Sequence, residues 1–198
     1  MHSTPTDVSR PTIYLDFDRT LCNTDQLYHL LGFRAGVTLS SEERVSLVEL
    51  ARKRSKDIDW PSLVYGDTFP TLRALHEHFR IVIVSFATIE DFQRMKIDAS
   101  GVGSIVDAIF VVDGDKSKAI LRDQEGRNVQ SGGYFLDDRL EHVHDVRTVL
   151  PGITSVAMCR PDALGSLETR IGAIAEGIPV VQNLDEFSEH VFAGDRLW

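Results

Sequence analysis

Apolar residues fall into two alternating rhythms along the chain. Short continuous runs occur at Thr12-Ile13-Tyr14-Leu15, Arg80-Ile81-Val82-Ile83-Val84, Ala108–Val112, Tyr134-Phe135-Leu136, Ile153–Met158 and Ile178–Val181. Runs of this length, apolar on both alternating faces, predict strands buried in a parallel sheet. Between them the spacing is helical. One helix is predicted from Thr24 to Leu31, stopped by Gly32. Ser40-Ser-Glu-Glu43 has the capping-box pattern and opens a helix to about Arg54, with Val45, Leu47, Val48 and Ala51 at helical spacing. Further helices are predicted over about Phe69–Phe79, Glu90–Ile97, from Ser117, from Leu140, over Leu167–Ala175 and from Asp185, while Lys53–Asp57 and Trp60-Pro61 read as loop. Strands that alternate with helices imply an α/β fold, a doubly wound parallel sheet covered on both faces. No internal repeat or low-complexity tract interrupts the pattern.

The 198 residues suit one domain, with room for an insertion. Lys plus Arg number 21 against 30 Asp plus Glu, a net charge of −9, which argues against nucleic acid as a partner because broad binding needs a basic face. The longest apolar run, about Ile81 to Ala87 with Ser85 inside it, is too short for a membrane span. Residues 1–11 are polar, read as a flexible tail and lack a secretory signal's apolar segment. Cys22 and Cys159 form no scaffold and show no zinc spacing. A reduced, cytoplasmic location is expected.

In an open α/β sheet, ligands sit beyond the carboxyl ends of the strands. The first run ends there in Asp16-Phe-Asp18-Arg-Thr20, the second in Ser85 and the fourth in Asp137-Asp138, with Lys116 and Lys118 opening the helix after the third run. Several carboxylates at one rim repel unless a cation joins them, and an oxygen-only set with room for water suits Mg²⁺. A hydroxyl and an ammonium beside that ion suit the oxygens of a phosphoryl group. Two acids two residues apart can divide the work, one as nucleophile and one handling protons. Taken singly, each residue has an ordinary reading as turn, helix cap or solvated charge. Only their order at successive strand ends carries the argument.

Other chemistry is absent. His142 and His144, like His76 and His78, are two apart and face different ways on a helix. There is no nucleophile elbow, phosphate loop or cysteine-phosphatase loop. The basic cluster Arg52-Lys53-Arg54 with Lys56 reads as a solvated helix end.

Ile13-Tyr-Leu-Asp-Phe-Asp-Arg-Thr-Leu21 resembles the first motif of the haloacid dehalogenase-like superfamily. Val82-Ile-Val-Ser85 is similar to its second motif, Lys116 four residues before Ile120 to its third, and Tyr134-Phe-Leu-Asp-Asp138 to its fourth. The helix with Gln93-Arg-Met-Lys96 also resembles the one that follows the second motif, and the likeness covers residues 12 to about 192. Arg19 departs from the pattern, standing where glycine is common, and Lys118 lies two residues beyond Lys116 as an alternative phosphate ligand.

The resemblance implies a Rossmann-like sheet and an aspartyl-phosphate formed on Asp16. Asp18 would be the acid/base, and Ser85 and Lys116 would hold phosphoryl oxygens. Thr20 would support the phosphate-binding loop around Asp18. Mg²⁺ would be held by Asp16, the Asp18 carbonyl and Asp137, with Asp138 assisting or partly replacing Asp137. Residues 12–21 and 66–198 would form the core, and 22–65 a small helical cap whose Leu27, Leu30, Leu31, Val45 and Val48 pack together. The expected activity is hydrolysis of a small phosphorylated metabolite. Alternatives on this scaffold are a phosphotransferase, a nucleotide-end phosphatase and a catalytically silent phosphate-binding protein. A signalling receiver domain shares the residue types but is shorter and has no helical insertion. Oligomeric state is left open.

Overall fold

The computed structural model describes residues 10–34, 39–128 and 132–195. Among these residues, six parallel strands form one sheet: β1 (Thr12–Leu15), β2 (Arg80–Phe86), β3 (Ala108–Val112), β4 (Gly133–Asp137), β5 (Thr154–Met158) and β6 (Val180–Val181), in the order β3-β2-β1-β4-β5-β6. Successive strands run outward from β1 on one side and from β4 on the other. The pair at the centre is therefore the switch point, where connections leave in opposite directions and a crevice opens at the carboxyl ends. Tyr14 lies between Val82 of β2 and Phe135 of β4.

Alternation along the strands divides the core in two. Ile13, Leu15, Ile81, Ile83 and Leu136 pack on one face with Leu72 and Leu75 of α3 (Thr68–His76), Phe92 and Ile97 of α4 (Glu90–Ser100) and Phe187 and Val191 of α8 (Leu184–Asp195). Tyr14, Val82, Val84 and Phe135 pack on the other with Ile120 of α5 (Lys116–Arg127), Val143 and Val146 of α6 (Leu140–Val149) and Ala173 of α7 (Ser166–Ala175). The predicted elements are all present, with ends shifted by a few residues. Of the expected tail, residues 1–9 lie outside the described residues. No helix among the described residues is long and apolar enough to cross a membrane.

Where β4 meets β1, Gly133 has φ +121°, and a Cβ there would lie 2.1 Å from the Thr12 carbonyl oxygen. That oxygen belongs to the central strand and cannot yield. Gly133→Ala should therefore destabilise the protein by about 3 kcal/mol or more, read as a fall in the denaturant midpoint at unchanged slope.

Between β1 and α3 lie α1 (Thr24–Leu30), α2 (Ser41–Lys53) and a 3-10 turn at Trp60–Leu63 in the segment expected to be loop. Both capping-box hydrogen bonds of α2 form, Glu43 N to Ser40 Oγ at 3.2 Å and Ser40 N to Glu43 Oε2 at 2.7 Å. Leu27, Leu31, Leu47, Val48 and Ala51 are buried. Leu30 and Val45 are not in that cluster; each keeps about half its surface in solvent, so the buried stripe of α2 runs through Leu47 and Ala51 instead.

Candidate active site

The four motif segments meet at the switch point. Asp16 directly follows β1, and its backbone N–H extends the ladder to the Leu136 carbonyl at 2.9 Å, which sets its carboxylate beside the end of β4. Asp137 is the last residue of β4. Lys116 begins α5 and reaches both, with Nζ 2.5 Å from Asp16 Oδ1 and 2.6 Å from Asp137 Oδ2. The start of α5 is pinned by Ser117, whose N–H and hydroxyl both donate to Asp145 of α6 at 2.9 and 2.7 Å. Asp137 also accepts from the Arg139 N–H at 2.9 Å and lies 3.2 Å from His142 Nδ1.

One oxygen each of Asp16, Asp137 and Asp138 lies within 4.8 Å of the others. Burial pushes the Asp16 carboxyl up to about 6, with Asp137 and Asp18 adding to it and Lys116 opposing. Burial, Asp16 and Asp137 push Asp138 well above the carboxylate range. At Asp137 burial acts upward too, but Lys116 and His142 outweigh it and hold the group below its ordinary value. Burial alone would lower the Lys116 pKa, yet the two aspartates raise it, so this fully buried amine stays charged.

Asp18 turns away from this cluster. Its Oδ1 accepts from Lys96 Nζ and Thr24 Oγ1, both at 2.5 Å, and its Oδ2 from Gln93 Nε2 at 2.8 Å. Gln93 Nε2 also lies 2.8 Å from Ser85 Oγ, which joins the second motif to the first. Burial raises the Asp18 carboxyl, but the Lys96 charge and these hydrogen bonds outweigh it and hold it below the usual range.

Lys118 and Thr20 likewise make no contact with the cluster. Lys118 lies on the surface, 69% exposed and paired with Asp115 at 2.7 Å, because a helix turns about 200° in two residues. Thr20 is fully buried; its hydroxyl meets no partner among the described residues, and its carbonyl accepts from Arg160 at 2.9 Å. Thr20 thus sits buried beneath the loop that carries Asp18, held through its carbonyl by Arg160.

Arg19 occupies its glycine-like position at φ +58°. The left-handed conformation costs a side chain roughly 1–2 kcal/mol. A fork of bonds from its guanidinium to Asp25, at 2.7 and 3.0 Å, opposes that cost, and Asp25 also accepts from Leu164 N–H at 3.0 Å. Sequence reasoning missed Gln93, Lys96 and His142 as members of this assembly. The i, i+3 spacing of Gln93 and Lys96 was an available signal, since it places two long polar side chains on one helix face.

A cavity of about 750 Å³ opens over Asp18. Its floor includes Gln93 and Lys96 and its apolar wall Phe86, Phe92, Leu47 and Val48. Arg19, Arg44 and Arg139 add positive charge in a chain of net charge −9.

No family model and no curated protein matches the chain. Solved structures do. A haloacid dehalogenase-like hydrolase from Burkholderia xenovorans is similar at a TM-score of 0.65 and 17% identity, over 91% of this chain and 96% of the other. A HAD phosphatase from Thermococcus onnurineus is similar at 0.56 and 18%, over 91% and 97%. The HAD-hydrolase YfnB from Bacillus subtilis, bound to magnesium, is similar at 0.57 and 13%, over 91% and 97%. Sheet order, acid-bearing strand ends and these likenesses agree: the chain has the haloacid dehalogenase-like fold.

Proposed function

We propose that the protein is a Mg²⁺-dependent phosphomonoester hydrolase that acts on a small phosphorylated metabolite in the cytoplasm. The observation that carries this reading is the division between its two aspartates. Asp16 lies in the acidic cluster with Lys116, while Asp18, two residues on, faces the cavity in a hydrogen-bonded cage of its own. A further structural match is a dehalogenase. Displacing halide needs no proton on the leaving group, so a second caged carboxylate has no task there, whereas an ester oxygen does need one.

The acidic cluster fits a divalent cation. Its donors are all oxygen, and the raised Asp138 carboxyl registers a repulsion that such an ion relieves. Asp16, Asp137 and Asp138 would hold it. When bound, Mg²⁺ neutralises charge on the phosphoryl oxygens. Asp16 attacks phosphorus through a carboxylate oxygen, and the ester P–O bond breaks as the aspartyl-phosphate forms. Asp18 gives a proton to the leaving oxygen; an incoming phosphoryl anion raises its affinity for that proton. In the second half, Asp18 takes a proton from water as water attacks phosphorus, which frees phosphate and Asp16. Lys116 and Ser85 supply charge and a hydroxyl donor to the phosphoryl oxygens. Residues 22–65 form the cap that covers the substrate and excludes water.

An aryl phosphate assay tests the reading. Phosphate release that requires Mg²⁺ and stops with chelator is expected, with no halide from a 2-haloacid. Halide release alone, or phosphate release unaffected by chelator, would overturn it.

Stability should follow the same charges. Asp16, at about 6 in the folded chain against an ordinary 3.8, takes up a proton on acidification before the unfolded chain does. Its contribution is therefore fully present below about pH 3.8 and lost as pH rises through 6, and Asp138 acts in the same direction. Asp18 and Asp137, both lowered, contribute stability above pH 3.8 and lose it on further acidification. Metal-free protein should thus melt higher near pH 5 than near pH 7.5 as far as these groups decide, and the increment added by Mg²⁺ should shrink over the same interval. Thermal melts at both pH values, with and without Mg²⁺, measure this.

A further inference from the structure

Lys96 is a buried lysine that the four motifs do not use. It keeps 5% of its surface, and that surface opens onto the cavity. An ammonium has three donors. One goes to Asp18 Oδ1, and the rings of Phe17 and Phe92 stand 5.9 and 5.5 Å from Nζ. The other two N–H groups meet no acceptor among the described residues. Removing an ammonium from water is costly, and a single carboxylate with two aromatic faces leaves its hydrogen-bonding capacity unfilled. Lys116 contrasts with it. That residue has no exposed surface, spends two donors on Asp16 and Asp137, and does not line the cavity. The lysine that an entering ligand meets is Lys96.

Its neighbours fit an anionic oxygen. Gln93, one turn earlier on α4, lines the same cavity and donates to both Asp18 Oδ2 and the buried Ser85 Oγ, so Lys96 is linked through Asp18 and Gln93 to the second-motif hydroxyl. Asp18 alone would repel a phosphoryl anion. Paired with Lys96 it presents no net charge to one.

We propose that Lys96 is a phosphoryl ligand: its two unfilled donors take an oxygen of the bound phosphate while the third stays on Asp18. The ammonium keeps its protons throughout, and no bond to it forms or breaks. It both holds the phosphoryl group and fixes the Asp18 carboxylate beside the leaving oxygen. This rests on the phosphatase reading above, with Lys96 added to the residues that contact phosphate.

Inorganic phosphate is the probe. Binding is measured calorimetrically in Mg²⁺ and as competitive inhibition of aryl phosphate hydrolysis. Lys96→Gln should weaken both by roughly 10- to 100-fold, the loss of hydrogen bonds from a charged donor. Lys96→Arg should recover part of the affinity. A purely structural lysine would shift the melting temperature and leave the phosphate constant of the folded protein unchanged. If Lys96→Gln fails to fold, Asp18→Asn is compared with Asp18→Asn/Lys96→Met, which removes both charges together; weaker phosphate binding in the double variant is expected. Phosphate constants within twofold of their reference in either comparison would overturn the Lys96 assignment while leaving a phosphatase. Wild-type protein that neither binds phosphate nor hydrolyses the ester would overturn both.

Discussion

Asp16→Asn is expected to lower the rate of phosphate release by about four orders of magnitude or more. An amide is a poor nucleophile and a weaker cation ligand, and no other carboxylate stands where Asp16 meets both Lys116 and Asp137. The fold should survive. Ionised Asp16 is held against burial and against Asp137, and a neutral isostere removes that repulsion while Lys116 keeps its bond to Asp137. The melting temperature without metal should therefore stay near wild type or rise, and the increment from Mg²⁺ should largely vanish. Steady-state kinetics and melts on one preparation check both halves. A variant that retains more than a few per cent of the wild-type rate would remove Asp16 from the role of nucleophile.

Lys116→Met should affect stability and rate together. The ammonium is the counter-charge to two buried carboxylates, one of them with no exposed surface. Removing one partner of a buried ionic set leaves the rest uncompensated, at a cost of about 3–5 kcal/mol. Mg²⁺ should recover part of this by taking over the charge of Asp16 and Asp137. At saturating Mg²⁺ the rate should still fall roughly 10²-fold or more, since charge developing on the phosphoryl group loses a donor. Lys118→Ala is the control. Its side chain is exposed and pairs with Asp115, so the effect should stay within about 0.5 kcal/mol and leave the rate unchanged. Denaturation midpoints and single-variant kinetics separate the two lysines.

The parallel sheet was legible because its strands are short continuous apolar runs that alternate with helices, and the runs of β1, β2 and β4 lead into Asp16, Ser85 and Asp137. Asp16, Ser85, Lys116 and Asp137 could be placed for the same reason. What could not be read was the direction of side chains on helices whose packing partners are distant in sequence. Lys96 stands in the sequence only as part of a helix like the one that follows the second motif, and its bond to Asp18 emerges only once α4 is laid against the loop that holds that residue. His142, set aside as a zinc ligand for want of a partner, is fixed instead by Asp137, the last residue of β4. Leu30 and Val45 satisfied helical spacing, yet spacing does not say which stripe of a two-helix insertion faces inward. Arg19 marked a departure from the family pattern, and only its positive φ and its fork to Asp25 show how an arginine is accommodated there.

The central position of β1 has a consequence for the order in which the molecule assembles. The first strand to be synthesised gains its neighbour β2 early, but its other edge stays open until β4, beyond the whole of α5, has been made. Non-local parallel pairing of this kind is slow, because long loops must close before contacts compensate for their entropy. Until β4 pairs, a half-sheet β3-β2-β1 would leave the Thr12–Leu15 edge open, and open strand edges of that kind invite aggregation. The Asp16 N–H, which donates to Leu136, reports the closing of that edge and the arrival of Asp137 beside Asp16 in one signal. In pulse-labelled refolding its protection should lag behind that of the β2 amides. Simultaneous protection would mean that the two halves of the sheet close together.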